Sequence, residues 1–116
     1  MSISEGKETQ KSICFLGDIL IHDRLDSKSD GVVRLLNTAD LVFGNFETTL
    51  AKEARTRPAA KHFNLWAKHS ILEDFKRMRM TAVALANNHA MDFDFEGLIE
   101  TIEVLDAHGI ASAGAG

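Results

Sequence analysis

The sequence predicts an α/β fold, a largely parallel sheet with covering helices. Two observations carry this expectation. Four short apolar runs, residues 12–16, 40–44, 81–86 and 110–113, read as buried strands. Segments with helical spacing of apolar residues alternate with them, and that order builds parallel sheets. A third observation concerns chemistry. Asn87, Asn88 and His89 sit just past the third run, at the strand end where open α/β sheets place their sites.

The chain has 116 residues, 45% of them hydrophobic and 26% charged, which suits one small globular domain and not a disordered segment. A net charge of -4 gives no general attraction to nucleic acid or to an anionic membrane. The single cysteine, Cys14, cannot form an intrachain disulfide and reads as a structural thiol in an apolar run. No stretch approaches the roughly 20 apolar residues of a membrane span. Residues 1–11 are polar and lack the apolar core of a secretory signal. The expectation from the chain as written is a soluble, cytoplasmic protein with a flexible tail at 1–11 and a domain from 12 to 116.

Taken in order, residues 12–16 form a strand that delivers Asp18 at its C-terminal end. His22, Asp23 and Arg24 turn polar, and Asp30 is placed to cap a short helix over 31–37. Residues 40–44 form a second strand, followed by Asn45, Phe46 and Glu47. Residues 48–61 read as a solvated loop, with Lys52, Arg55, Arg57 and Lys61 around Pro58, and contact with an anionic substrate is the second reading of those charges. Residues 62–66 read as an extended edge. Ser70 and Glu73 have the spacing of a capping box ahead of a helix with Ile71, Leu72, Phe75 and Met78 on one face. After the third strand, Phe95, Leu98, Ile99, Ile102 and Leu105 form a helical stripe that Gly109 ends. The final strand, 110–113, has no following helix, so the sheet is expected to keep an open edge.

Three strand ends thus carry polar groups: Asp18, then Asn45 and Glu47, then Asn87, Asn88 and His89. Parallel strands bring their C-terminal ends to one edge. Carboxylates, amide oxygens and imidazole suit a divalent ion such as Mn²⁺, Mg²⁺, Fe²⁺ or Zn²⁺. His89 is placed to protonate a leaving group or to steady transition-state charge. His22 reads as a surface histidine, four residues past Asp18 and within reach of the same edge. His62, His69 and His108 read as surface or structural side chains.

These motifs resemble the bacterial capsule-synthesis family CapA. The resemblance rests on Gly17-Asp18-Ile19-Leu20, on Ala39-Asp40-Leu41-Val42-Phe43-Gly44-Asn45-Phe46-Glu47, on residues 84–92 around Asn87-Asn88-His89, and on Gly109-Ile110 with Gly114 and Gly116. The family is linked to poly-γ-glutamate capsule production and belongs to the calcineurin-like metallophosphoesterases, whose fold is a double β-sandwich flanked by helices. The resemblance implies that the chain is the N-terminal half of such an α-β-β-α sandwich. It implies Asp18 and Asn88 as metal ligands and His89 as the residue assisting the phosphoryl oxygen. Asn45 stands where typical phosphoesterases have a bridging aspartate, so Glu47 is inferred to supply that carboxylate. Leu20 occupies the position of a usual histidine, for which His22 is the candidate replacement. Asn45, His22 and Asn87 are the candidate substrate-binding residues.

The implied function is a metal-dependent phosphoesterase-like activity in capsule synthesis, on an anionic or polyglutamate-type substrate. The alternative is a non-catalytic capsule-assembly scaffold or an inactive remnant. Members of the family run on for well over a hundred further residues and carry further histidine ligands there. The chain on its own is therefore expected to lack activity and to form a homo-oligomer through its open edge and under-packed sheet.

Overall fold

The computed structural model describes residues 10–50, 58–60 and 63–115. The expected tail lies almost wholly outside the described residues, as do Lys52, Arg55, Arg57, Lys61 and His62. The fold is α/β. Strands β1 (Ile13–Ile19), β2 (Leu41–Phe46), β5 (Ala82–Ala84) and β6 (Ala111–Ala113) form one parallel sheet in the order β1-β2-β5-β6. Helices α1 (Asp30–Leu36), α2 (Ile71–Arg77) and α3 (Asp94–Ala107) lie in the connections. A second, two-stranded parallel sheet joins β3 (Thr49–Leu50) to β4 (Trp66–Ala67).

Strands added in one direction by right-handed crossovers place their connecting helices on one face. The core follows from that: Val42 and Val83 from the sheet pack with Leu36, Ile71, Phe75 and Leu105 from the helices, all nearly or fully buried. Among the described residues, the other face is largely exposed around a half-buried Phe43. Phe15 is 76% exposed and stacks on Phe43 across the β1–β2 pair, and Ile13, Leu41, Ala84, Ala111 and Ala113 are exposed with them.

Several local expectations change. The first strand does not stop at Leu16. It continues to Ile19 because one extra residue is accommodated between Phe15 and Asp18, where the pairing shifts from Phe15↔Phe43 to Asp18↔Asn45. Gly44 makes room for the shifted strand, since a Cβ there would run into the Ile19 side chain. Asp18 and Asn45 therefore lie within strands and not beyond them.

The capping box at Ser70 does not form. Ser70 is itself helical, makes no side-chain cap, and Glu73 pairs with Arg24 instead. Asp30 does not cap α1 either. It is the first helical residue and its carboxylate takes Arg77 Nη2 at 2.9 Å. In both places an arginine is a stronger partner than a backbone N–H. Asp26 caps the single 3-10 turn at Ser27–Ser29 through the Lys28 N–H at 3.0 Å.

The stretch read as a solvated loop begins with a buried strand. Thr48, Thr49 and Leu50 are all buried, and the Leu50 N–H donates to Thr101 Oγ1 in α3 at 3.0 Å. Gly97 allows that approach, because a Cβ there would meet Thr49 Cγ2 at 3.1 Å. The edge segment narrows to Trp66–Ala67, paired with β3.

Candidate functional site

The site grows from the pairing of β1, β2 and β5. Asp18 lies opposite Asn45, and Asn45 lies opposite Ala84, so all three strands present their C-terminal ends on one edge. Asn45 Nδ2 donates to Asp18 Oδ1 at 2.8 Å and to Glu47 Oε1 at 3.2 Å. Asn45 Oδ1 accepts from Asn87 Nδ2 at 3.1 Å, and that nitrogen also donates to the Phe46 carbonyl at 2.9 Å. Asn87 Oδ1 in turn accepts the His89 N–H at 3.0 Å, an Asx turn that shapes the strand-to-helix connection. One hydrogen-bonded chain thus runs from Asp18 through Asn45 and Asn87 to His89.

His89 is held from a second side. Its Nδ1 lies 2.7 Å from Asp92 Oδ2, and its carbonyl accepts from Thr49 Oγ1 at 3.1 Å. Asp92 is fully buried. The same Oδ2 accepts the Leu65 N–H at 2.5 Å, and the Asp92 carbonyl accepts the Ala59 N–H at 2.8 Å. Asp92 was not among the residues expected at the site. The signal was present as His89-x-x-Asp92, a spacing that brings two side chains together in a single turn, but it reads equally as the start of the following helix.

The structure joins Asp18, Asn45, Glu47, Asn87 and His89. Asn88, next to them in the chain, is exposed and lines a cavity of about 540 Å³ with Leu85, Met91, Phe95 and Leu98. His22 is anchored elsewhere. Its Nδ1 lies 2.7 Å from the Trp66 carbonyl, and its ring meets Trp66 edge-on at 4.2 Å between centroids. The His22 position thus ties the end of β1 to β4.

Asp18 and Glu47 point their oxygens at one amide nitrogen. Hard oxygen donors arranged around a single electropositive point match what Mg²⁺ or Mn²⁺ takes, with amide oxygen and water completing the shell. Asp18 and Glu47 are the two carboxylates that meet at this point. Among the described residues, no three or more His, Cys, Asp or Glu side chains gather as a metal-holding group. Also among the described residues, no helix is long and apolar enough to cross a membrane.

Residues 12–116 match the family of bacterial capsule synthesis proteins known as PGA_cap. The chain belongs to this family. It is 28% identical over 114 residues to the PGA biosynthesis protein CapA of Bacillus subtilis, which covers 90% of this chain and 30% of that protein. An uncharacterized protein of Sinorhizobium fredii is 36% identical over 89 residues, 73% of this chain and 19% of the relative. A probable polyglutamine synthesis accessory protein of Mycobacterium tuberculosis is 35% identical over 86 residues, 71% of this chain and 22% of the relative. The chain thus spans between about a fifth and a third of the length of these relatives.

Proposed function

We propose that this chain provides the strand-end part of a divalent-cation site that hydrolyses or transfers a phosphoester or polyglutamate-type amide in capsule synthesis. The observation that carries this reading is the convergence of Asp18 and Glu47 on Asn45, with His89 on the adjoining turn. Two carboxylates repel an anionic substrate, so a cation at this edge is what would let one approach. A bound Mg²⁺ or Mn²⁺ would supply Lewis-acid polarisation of the reacting oxygen. Asp18 and Glu47 would hold it in place of the Asn45 Nδ2 hydrogen bonds, with water completing its shell. Asn87 keeps the turn in shape, and His89 delivers a proton to the leaving group, the alcohol oxygen of a phosphoester or the nitrogen of an amide. The names of the Bacillus and Mycobacterium relatives support a polyglutamate-related role for the whole protein.

A second reading has its own observation. The Asn45 amide already donates a hydrogen bond to each carboxylate, which is how a purely structural cluster would be satisfied. On that reading the protein is a non-catalytic assembly component. Titration of the ¹⁵N-labelled chain with Mn²⁺ or Mg²⁺ separates the two. The cation reading expects saturable changes at Asp18, Asn45 and Glu47 that Asp18→Asn abolishes. No saturable change at those residues would leave the scaffold reading.

A further inference from the structure

We propose that Asp92 is the positioning residue of this site: it holds His89 as the Nδ1–H tautomer with Nε2 turned outward, and it holds the Leu65 N–H with the same carboxylate. The proposal deepens the reading of His89 as the proton-transferring residue and rests on it for its functional meaning: with Nδ1–H kept on Asp92, Nε2 is the nitrogen that takes up a proton and then delivers it. Its geometric content stands separately.

The argument begins with burial. A carboxylate with no solvent exposure is retained only where hydrogen bonds replace its lost water. Asp92 Oδ2 has two such partners from different parts of the chain, the Leu65 N–H at 2.5 Å and His89 Nδ1 at 2.7 Å. Leu65 N is always a donor, so Oδ2 acts as an acceptor. Nδ1 facing the same oxygen must then carry the proton. In a neutral imidazole that leaves the lone pair on Nε2. Asp92 therefore selects the nitrogen that meets a substrate, although it touches none itself.

The second link is to the segment that precedes β4. The Ala59 N–H donates to the Asp92 carbonyl at 2.8 Å, and Asn64 Nδ2 donates to the Ala59 carbonyl at 3.2 Å. Thr49 closes the arrangement, taking the Leu65 carbonyl through its N–H at 3.2 Å and the His89 carbonyl through its hydroxyl at 3.1 Å. The imidazole and Leu65 thus share one oxygen and one threonine. Loss of the Leu65 contact removes one of the bonds that fix Asp92, and loss of the Asp92 carboxylate frees both partners.

The test is two-bond ¹H–¹⁵N correlation of the histidine rings, with amide hydrogen exchange, on the 116-residue chain without metal or substrate. The wild type is expected to show His89 as Nδ1–H and the Leu65 amide as protected. In Asp92→Asn the ring should leave that tautomer and the Leu65 amide should exchange roughly tenfold faster, as expected when one hydrogen bond to a charged acceptor is lost. In His89→Gln the Leu65 amide should stay protected, because Asp92 remains. A wild-type ring in the Nε2–H form overturns the proposal, as does an Asp92→Asn ring still in the Nδ1–H form. Should Asp92→Asn fail to fold, the wild-type ring and amide still decide the matter. No turnover is measured, so failure of the hydrolytic reading leaves this result standing.

Discussion

Replacing Asp74 by asparagine removes the charge at the centre of the α2 network. Asp74 is fully buried. Its Oδ2 accepts from Arg24 Nε at 2.9 Å and from the Leu25 N–H at 2.9 Å, and its Oδ1 accepts from Arg77 Nη1 at 3.0 Å. Through these bonds it ties the connection after β1 to α2, and through Arg77 it reaches Asp30 in α1. In Asp74→Asn an amide nitrogen replaces one oxygen, so at least one donor faces another donor. Each hydrogen bond to a charged group contributes about 1.5–3 kcal/mol. Both arginines are about 40% exposed and can return to water, so the cost falls below the roughly 3–5 kcal/mol of breaking a fully buried pair. We expect a loss of about 2–3 kcal/mol, below that range. At about 4–8 °C per kcal/mol this lowers Tm by roughly 10–20 °C.

The pH dependence gives the sharper test. Burial raises the Asp74 carboxyl, but the Leu25 N–H, Arg24 and Arg77 together outweigh it and hold the group below its usual value. A folded pKa below the unfolded one stabilises above the unfolded value, about 3.9, and that contribution is lost as pH falls through the folded value. Urea melts followed by circular dichroism should therefore show a wide gap between wild type and variant at neutral pH, closing under strong acid. A gap under about 0.5 kcal/mol at neutral pH, the size of an ordinary surface change, would refute the reasoning. So would a gap that acid leaves unchanged.

Thr101→Val keeps the shape of α3 but leaves the buried Leu50 N–H without its acceptor. A loss of about 1–3 kcal/mol in thermal or urea melts is expected. Asn45→Asp puts a third carboxylate between Asp18 and Glu47. Without divalent ions the variant should melt below wild type by about 1 kcal/mol, and Mn²⁺ should raise its Tm more than it raises that of the wild type. Equal responses would count against a cation at this edge. The bare sheet face around Phe15 and Phe43 predicts concentration-dependent self-association, read by size exclusion with light scattering and weakened by Phe15→Lys. A wild type monomeric at every concentration would end that expectation.

Local pattern made much of this protein legible. The apolar runs at Val42 and Val83 become strands because they are buried on the helix-covered side. The stripe through Leu98 and Leu105 becomes α3, and Gly109 ends it at φ +72°, a backbone that glycine adopts without strain. Asp18, Asn45, Glu47, Asn87 and His89 could be named because polar groups at strand ends need a reason. The capping residues were less legible. Ser70 and Asp30 have the right types and spacing, but Arg24 and Arg77, 49 and 47 residues away from Glu73 and Asp30, compete for the carboxylates.

What the sequence by itself determined is the order of elements, the parallel sheet and the polar character of its C-terminal edge, all of which follow from periodicity along the chain. What only the tertiary structure decided is which of those polar groups meet. Strand side chains alternate with a period of two, so one extra residue between Phe15 and Asp18 moves Asp18 into register with Asn45, a place that regular pairing would have given to Gly17. Likewise, Asn87 and not Asn88 reaches Asn45, and Asp92 reaches His89 while holding Leu65 from a distant segment. The Asn45–Asn87 and Asp92–Leu65 contacts join residues far apart in the chain, and no local spacing encodes them.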